Sequence, residues 1–115
     1  VTTIGVEAFH SNRLTTVNIP NSVTMIERGA FGNNSGLTYV NFPNTITKIV
    51  PELFSGSGLT TLSIPNWITE IGDNAFANSK LVSVNISNSV TKIGAGAFAN
   101  NPFKTFIIPN SVIRS

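Results

Sequence analysis

The sequence predicts a solenoid of about five repeats of 22–23 residues, with short parallel strands on one side and an irregular or short-helical convex side. Three observations predict this fold. Seven columns of apolar residues recur at a fixed spacing over nearly the whole chain, four of the five predicted strands end in Pro-Asn, and Gly, Asn and Ser close each repeat. Self-similarity at a period of roughly 20 to 50 residues is typical of solenoids, whose units bury their apolar faces only against their neighbours.

Each repeat opens with a predicted strand of the pattern Leu-x-x-Val-x-Ile, as in Leu14, Val17 and Ile19. The fourth and sixth positions share one face of the strand, because successive side chains alternate in direction. Pro20 cannot donate to a ladder and therefore ends the strand, and Asn21 suits the turn that follows. We expect the five strands to form one parallel sheet, roughly 20 Å across at about 4.8 Å a strand.

The second half of each repeat returns the chain to the next strand. The apolar residues Val23 and Ile26 have a spacing of three, which predicts an extended or polyproline-like return rather than a long helix. An Ala-Phe or Leu-Phe step then places a large ring in the core. We expect at most one helical turn at each of these steps, over residues 7–9, 29–31, 52–54, 74–76 and 96–98. The period is 23 residues once, from Leu14 to Leu37, because residues 32–36 hold one extra turn residue.

The pattern Leu-x-x-Val-x-Ile-Pro-Asn-Ser-Val-Thr-x-Ile-Gly-x-x-Ala-Phe resembles the BspA-like, or Treponema-type, leucine-rich repeats. The resemblance covers about residues 3–113, and its clearest copy spans residues 81–98, with Ser87 in place of the proline. It implies a leucine-rich repeat solenoid. The family commonly carries a Cys shortly after the Ala-Phe step, and the corresponding residues here are Asn34, Ser57, Ser79 and Asn101. Asparagine can bond backbone groups in a buried turn, so the fold is expected to persist.

The resemblance also implies a function. Proteins with these repeats are typically bacterial cell-surface or secreted proteins, and some occur in protozoan parasites. They are associated with adhesion to matrix proteins, to other cells or to other bacteria. We therefore expect a protein-interaction or adhesion module whose partner is a matrix or cell-surface protein. The alternatives are a glycan-binding module and a structural spacer within a larger surface protein.

The candidate binding surface is the outward side of the predicted strands, where the third and fifth positions of each strand point away from the core. It is neutral and polar, with Tyr39 as an aromatic anchor. Trp67 is a further candidate aromatic contact, or else a cover over a neighbouring repeat. The candidate residues on the strands are Thr16, Asn18, Tyr39, Asn41, Thr61, Ser63, Ser83, Asn85 and Thr105.

Two plainer interpretations of that surface stay open. These residues could simply be solubilising and strand-favouring choices. They could also order water as an ice-binding ladder, although Tyr39 interrupts the row of Thr and Ser. For the last strand, Phe103 and Phe106 are expected to fill a widening end of the core, and Ile107 is a candidate contact residue.

Composition argues against several other functions. Only 10% of residues are charged, and the seven Lys/Arg that give the net charge of +2 are scattered singly, so nucleic-acid binding is not expected. There is no Cys and one His, His10, so we expect no metal, no cofactor and no enzyme activity. No apolar run approaches the roughly 18 residues of a membrane helix, so no membrane insertion is expected.

We expect residues 1–115 to form a single solenoid. The chain starts and ends within a repeat, and no polar cap is visible, so it is expected to be a fragment of a longer repeat array. Uncapped ends also predict end-to-end self-association, because open strands and apolar edges favour pairing.

Overall fold

The computed structural model describes residues 3–104, 106–109 and 112. It is a parallel-strand solenoid, as the repeat pattern predicts. Each repeat contributes one strand of three residues and one of two. The strands are β1 Thr3–Ile4, β2 Thr16–Asn18, β3 Met25–Ile26, β4 Tyr39–Asn41, β5 Lys48–Ile49, β6 Thr61–Ser63, β7 Glu70–Ile71, β8 Ser83–Asn85 and β9 Lys92–Ile93.

The three-residue strands have the predicted register but do not form one continuous sheet. Strand β2 pairs in parallel with β4, and β6 pairs with β8, so that Thr16 lies beside Tyr39 and Thr61 beside Ser83. Over the described residues, no strand pairing joins β4 to β6. The expectation of one five-stranded sheet was therefore wrong. The segment expected to hold the fifth strand is not assigned as strand where it is described, and Thr105 lies outside the described residues.

The two-residue strands form a second parallel series on the return side of each repeat. Strand β1 pairs with β3, and β5, β7 and β9 form a three-stranded sheet. Their second residues are apolar and point inward, as Ile49 and Ile71 do with 1% of their surface exposed. Gly72 lets β7 lie close to the preceding repeat, because a Cβ there would lie 2.6 Å from the Pro51 nitrogen. The extended return expected from the sequence is thus a second site of strand pairing.

A stack of phenylalanine rings runs through the core from one repeat to the next. The rings of Phe9, Phe31, Phe54, Phe76 and Phe98 lie with neighbouring centroids 5.5–5.7 Å apart and nearly parallel planes. At the end of the stack, the rings of Phe103 and Phe106 turn out of this direction, at 69° and 54° to Phe98. Both pack on the last ring, but only Phe103 is half-buried as a core-filling residue would be, whereas Phe106 is exposed and covers the end of the stack.

The turns around each phenylalanine explain why the described residues contain no helix. In every repeat, the residues two before and two after the phenylalanine have a positive φ, which an α-helix cannot accommodate. The sequence allowed at most one helical turn at each of these steps, and among the described residues the steps are irregular turns. The φ values lie between 52° and 76° at Glu7, Ser11, Gly29, Asn33, Glu52, Gly56, Asn74, Asn78, Gly96 and Asn100. Most of these residues are glycine or asparagine, which adopt this conformation at low cost.

Glu52 is strained at φ 61°, at a position where three of the other four repeats carry glycine or asparagine and the first carries Glu7. The change Glu52→Gly is expected to raise the free energy of unfolding by about 0.5–1 kcal/mol, because it removes the contact of Cβ with the backbone in this region. The backbone hydrogen bond from the Glu52 N–H to the Asp73 carbonyl, 2.9 Å long, does not involve the side chain. Urea denaturation measures the effect. The control is Glu27→Gly, because Glu27 does not have a positive φ. The control is expected to lower the free energy of unfolding, and a loss of stability in both variants would contradict the prediction.

Buried polar side chains join successive repeats at the positions where the family commonly carries Cys. Asn34 is 0% exposed, and its Nδ2 donates to the carbonyls of Phe9 and Phe31 at 3.1 and 2.8 Å. Its Oδ1 accepts from the Leu14 N–H at 3.4 Å. In the next two repeats, Ser57 and Ser79 are buried and their hydroxyl oxygens share a hydrogen bond of 2.8 Å. The expectation that asparagine bonds backbone groups in these turns is confirmed.

Candidate functional site

The candidate site is the outward side of the three-residue strands, called here the strand face. Its described members are Thr16, Asn18, Tyr39, Asn41, Thr61, Ser63, Ser83 and Asn85. All of them are exposed, while the residue between them in each strand is buried or half-buried, as the alternation of side chains predicts. The Tyr39 side chain is 53% exposed. The structure therefore brings these eight predicted residues together on one surface, and the ninth, Thr105, lies outside the described residues.

The side chains of the strand face make no hydrogen bond to another described residue. Several polar side chains elsewhere in the solenoid are partnered. The hydroxyls of Thr45 and Thr69, for example, donate to carbonyls of the preceding repeat at 2.7 and 3.3 Å, and the Asp73 carboxylate accepts from the Ala95 N–H at 2.8 Å. The hydroxyl and amide groups of the strand face are thus free to bond a ligand.

A groove of about 440 Å³ crosses the strand face where β4 and β6 are not paired. Tyr39 lies on one side of it, Thr61 and Ser63 form its floor, and Ser83 and Asn85 form the other side. Its volume falls within the range of roughly 300–1,000 Å³ that is usual for ligand sites. This groove was not predicted, because it depends on a missing strand pairing rather than on a residue type.

The strand face contains no charged residue, although charged side chains occur on other parts of the molecule. On the opposite side, the Lys48 ammonium lies 3.5 Å from the Glu70 carboxylate, and Lys92 is in register with Glu70. The arrangement separates a neutral surface from a charged one. A ligand of the strand face would be bound through neutral hydrogen bonds and aromatic contact rather than through ion pairs.

Trp67 covers a neighbouring repeat instead of extending the strand face. Its Nε1–H donates to the Pro43 carbonyl of the preceding repeat at 3.0 Å, and 37% of the side chain is exposed. Thr45 holds the same column one repeat earlier and also donates to a carbonyl of its preceding repeat. This agrees with the covering role that was one of the two interpretations of Trp67.

No cluster of metal-ligating side chains is found among the described residues. No three of their His, Asp and Glu residues lie close enough together to hold a metal ion. His10 shares hydrogen bonds with Ser11 at 2.8 Å and Asn33 at 3.4 Å, both at the surface. Within the described ranges, no helix is long and apolar enough to cross a membrane.

Comparison with known proteins agrees with this architecture. The family model described as the BspA type leucine-rich repeat region matches residues 2–115 in six copies. A leucine-rich cell surface protein of Faecalibacterium prausnitzii has a similar crystal structure, with a TM-score of 0.71 and 28% identity over 97% of this chain. A leucine-rich repeat protein of Bacteroides ovatus matches over 97% of this chain with a TM-score of 0.54 and 23% identity, and shows the fold alone.

The chain spans 38% of the Faecalibacterium protein and 48% of the Bacteroides protein. No protein with curated annotation matches the sequence significantly. The repeat columns, the parallel-strand solenoid and the family match over residues 2–115 lead to one conclusion. The chain belongs to the BspA-type leucine-rich repeat family.

Proposed function

We propose that this chain is an interaction module of a cell-surface or secreted protein, and that it adheres to molecules outside the cell through the strand face. The observation that carries the proposal is the set of exposed hydroxyl and amide groups without internal hydrogen bonds. Exposed polar groups that the fold does not use are available for recognition. The name of the Faecalibacterium relative, a cell surface protein, supports the proposed location.

The opposite side of the solenoid is a weaker candidate for recognition. The Thr69 and Thr91 hydroxyls donate to carbonyls of the preceding repeat, and Lys48 pairs with Glu70. These polar groups are already engaged in joining repeats. The groove beside Tyr39 offers, in addition, a concave surface with an exposed aromatic ring, and tyrosine is favoured where a partner must be both packed and hydrogen-bonded.

The change Thr61→Arg tests the proposal, because it places a long charged side chain at the centre of the groove. We expect it to weaken binding to immobilised laminin, collagen or fibronectin by at least about tenfold, since the arginine both blocks the groove and brings a charge into a neutral interface. Surface plasmon resonance measures the binding. The fold should be unaffected, because Thr61 is exposed and makes no hydrogen bond to a described side chain.

The matched control is Thr47→Arg, which places the same charge at an exposed threonine on the return side of the repeat. It should leave binding within about twofold of the unchanged chain, since surface substitutions away from an interface have small effects. Equal binding by both variants would contradict the proposal that the strand face is the binding surface, and no binding by the unchanged chain would favour a structural spacer.

A further inference from the structure

The groove on the strand face combines three properties: no charge, free hydroxyl and amide groups, and an exposed aromatic ring on one side. We propose that it binds an uncharged oligosaccharide chain, which lies across the strands along the solenoid axis. This inference rests on the proposed function and identifies the part of the partner that the strand face recognises. The partner would then be a glycoprotein or polysaccharide recognised through its neutral sugar units.

The absence of charge favours a sugar over a bare protein surface. About a quarter of the residues of an average soluble domain are charged. A protein partner would have to bury such groups against the strand face, where no opposite charge is present to pair with them, and burying an unpaired charge is costly. A neutral oligosaccharide has no charge to bury.

The polar groups of the groove match the chemistry of sugar hydroxyls. The hydroxyls of Thr61, Ser63 and Ser83 can each donate and accept, and the Asn85 amide has both functions on one side chain. A sugar hydroxyl likewise donates and accepts, so each contact can satisfy both partners. Paired strands such as β6 and β8 are about 4.8 Å apart, close to the length of one β-linked pyranose unit in an extended chain, so two successive units can meet the equivalent hydroxyls of Thr61 and Ser83.

Tyr39 supplies the apolar contact that a sugar ring requires. One face of many pyranose rings presents C–H groups, whose hydrogens carry partial positive charge, and the face of an aromatic ring carries partial negative charge. Tyr39 is 53% exposed at the rim of the groove, with Thr61 beside it across the gap between β4 and β6. A sugar unit stacked on the ring therefore lies with its neighbouring unit above the groove floor.

Isothermal titration calorimetry with cellohexaose, mannohexaose, maltohexaose and N-acetylchitohexaose tests the inference. At least one of these is expected to bind with a Kd of about 10 μM to 1 mM, the range of a shallow, solvent-exposed site. Tyr39→Ala should weaken that binding at least about tenfold, and Tyr39→Phe should retain most of it, since the ring face remains. Met25→Ala is the matched control, because Met25 is 55% exposed on the opposite side.

Laminin treated with glycosidases separates this inference from the proposed function. If binding to laminin is lost after its glycans are removed, and Tyr39→Ala reduces binding to untreated laminin, the inference is supported. If Thr61→Arg abolishes binding but glycan removal does not, the partner is a protein surface; the proposed function then stands and the sugar inference is overturned. Failure of all four oligosaccharides to bind at millimolar concentration would also overturn it.

Discussion

Replacing Phe54 with alanine is expected to lower the free energy of unfolding by about 4 kcal/mol, the size usual for removing a buried ring. Phe54 is 0% exposed and lies in the middle of the phenylalanine stack. Its centroid is 5.6 Å from that of Phe31 and 5.7 Å from that of Phe76, and the edge of Phe42 contacts it at 5.8 Å. Alanine would leave a cavity between two repeats and remove three aromatic contacts at once.

Equilibrium denaturation in urea, followed by circular dichroism, measures this loss. The control is Phe9→Ala at the first ring of the same stack, where Phe9 is 44% exposed and, among the described residues, only the ring of Phe31 contacts it. We expect the control to cost about 1–2 kcal/mol, in proportion to the smaller area removed from contact. Equal losses of unfolding free energy at Phe54 and Phe9 would contradict the expectation that the buried centre of the stack stabilises the solenoid more than its exposed end.

Asn34→Ala is expected to cost about 3 kcal/mol, because it leaves buried backbone groups without partners. The Asn34 amide bonds the carbonyls of Phe9, Phe31 and Gly32 and the N–H of Leu14, so a single side chain joins two repeats. Alanine cannot replace any of these bonds, and the site is closed to water, since Asn34 is 0% exposed.

Thermal unfolding of Asn34→Ala and Asn41→Ala compares a buried asparagine with an exposed one. Asn41 lies on the strand face, where its side chain has no hydrogen bond to a described residue, so its replacement should change stability by less than about 0.5 kcal/mol. Amide hydrogen exchange would show faster exchange at Leu14 in the Asn34 variant, because its N–H loses its acceptor. A melting temperature unchanged in Asn34→Ala would contradict the assigned role.

The features that repeat in every unit were predictable from the sequence. Val17 and Ile19 point inward and Thr16 points outward, because a strand alternates its side chains and one face of each repeat must be buried. The phenylalanine column predicted a large ring in the core of each repeat, and the structure adds that these rings stack on one another. The family resemblance indicated the buried polar turn, and Asn34 confirms that asparagine can serve there.

The turns and the interruptions of strand pairing were not predicted. Glycine or asparagine at Gly29, Asn74 and Gly96 was a signal for positive φ, but glutamate at Glu7 and Glu52 in the same column concealed it. At most one helical turn was expected at these steps, and none is present among the described residues. Where two neighbouring strands separate depends on fractions of an ångström in the packing of whole repeats, and no single residue type specifies it.

The strand face could be predicted as a surface, whereas its groove could not. Period-two alternation placed Tyr39 and Thr61 outside the core, and the structure puts them on opposite sides of the gap between β4 and β6. For Trp67, comparison with the residues at the same position of the other repeats did not decide the role of the side chain. The residues at that position in the other repeats are small and polar, so they did not indicate a role for a large ring. The hydrogen bond from Trp67 to the Pro43 carbonyl depends on the three-dimensional position of the indole ring.

The two interruptions of strand pairing occur at different repeat boundaries. At one boundary the three-residue strands β4 and β6 are unpaired, while the two-residue strands β5 and β7 remain paired. At the boundary before it the two-residue strands β3 and β5 are unpaired, while the three-residue strands β2 and β4 remain paired. Each boundary among the described strands therefore keeps at least one paired side. Under tension along the solenoid axis, no boundary among the described strands would therefore open without breaking backbone hydrogen bonds between paired strands.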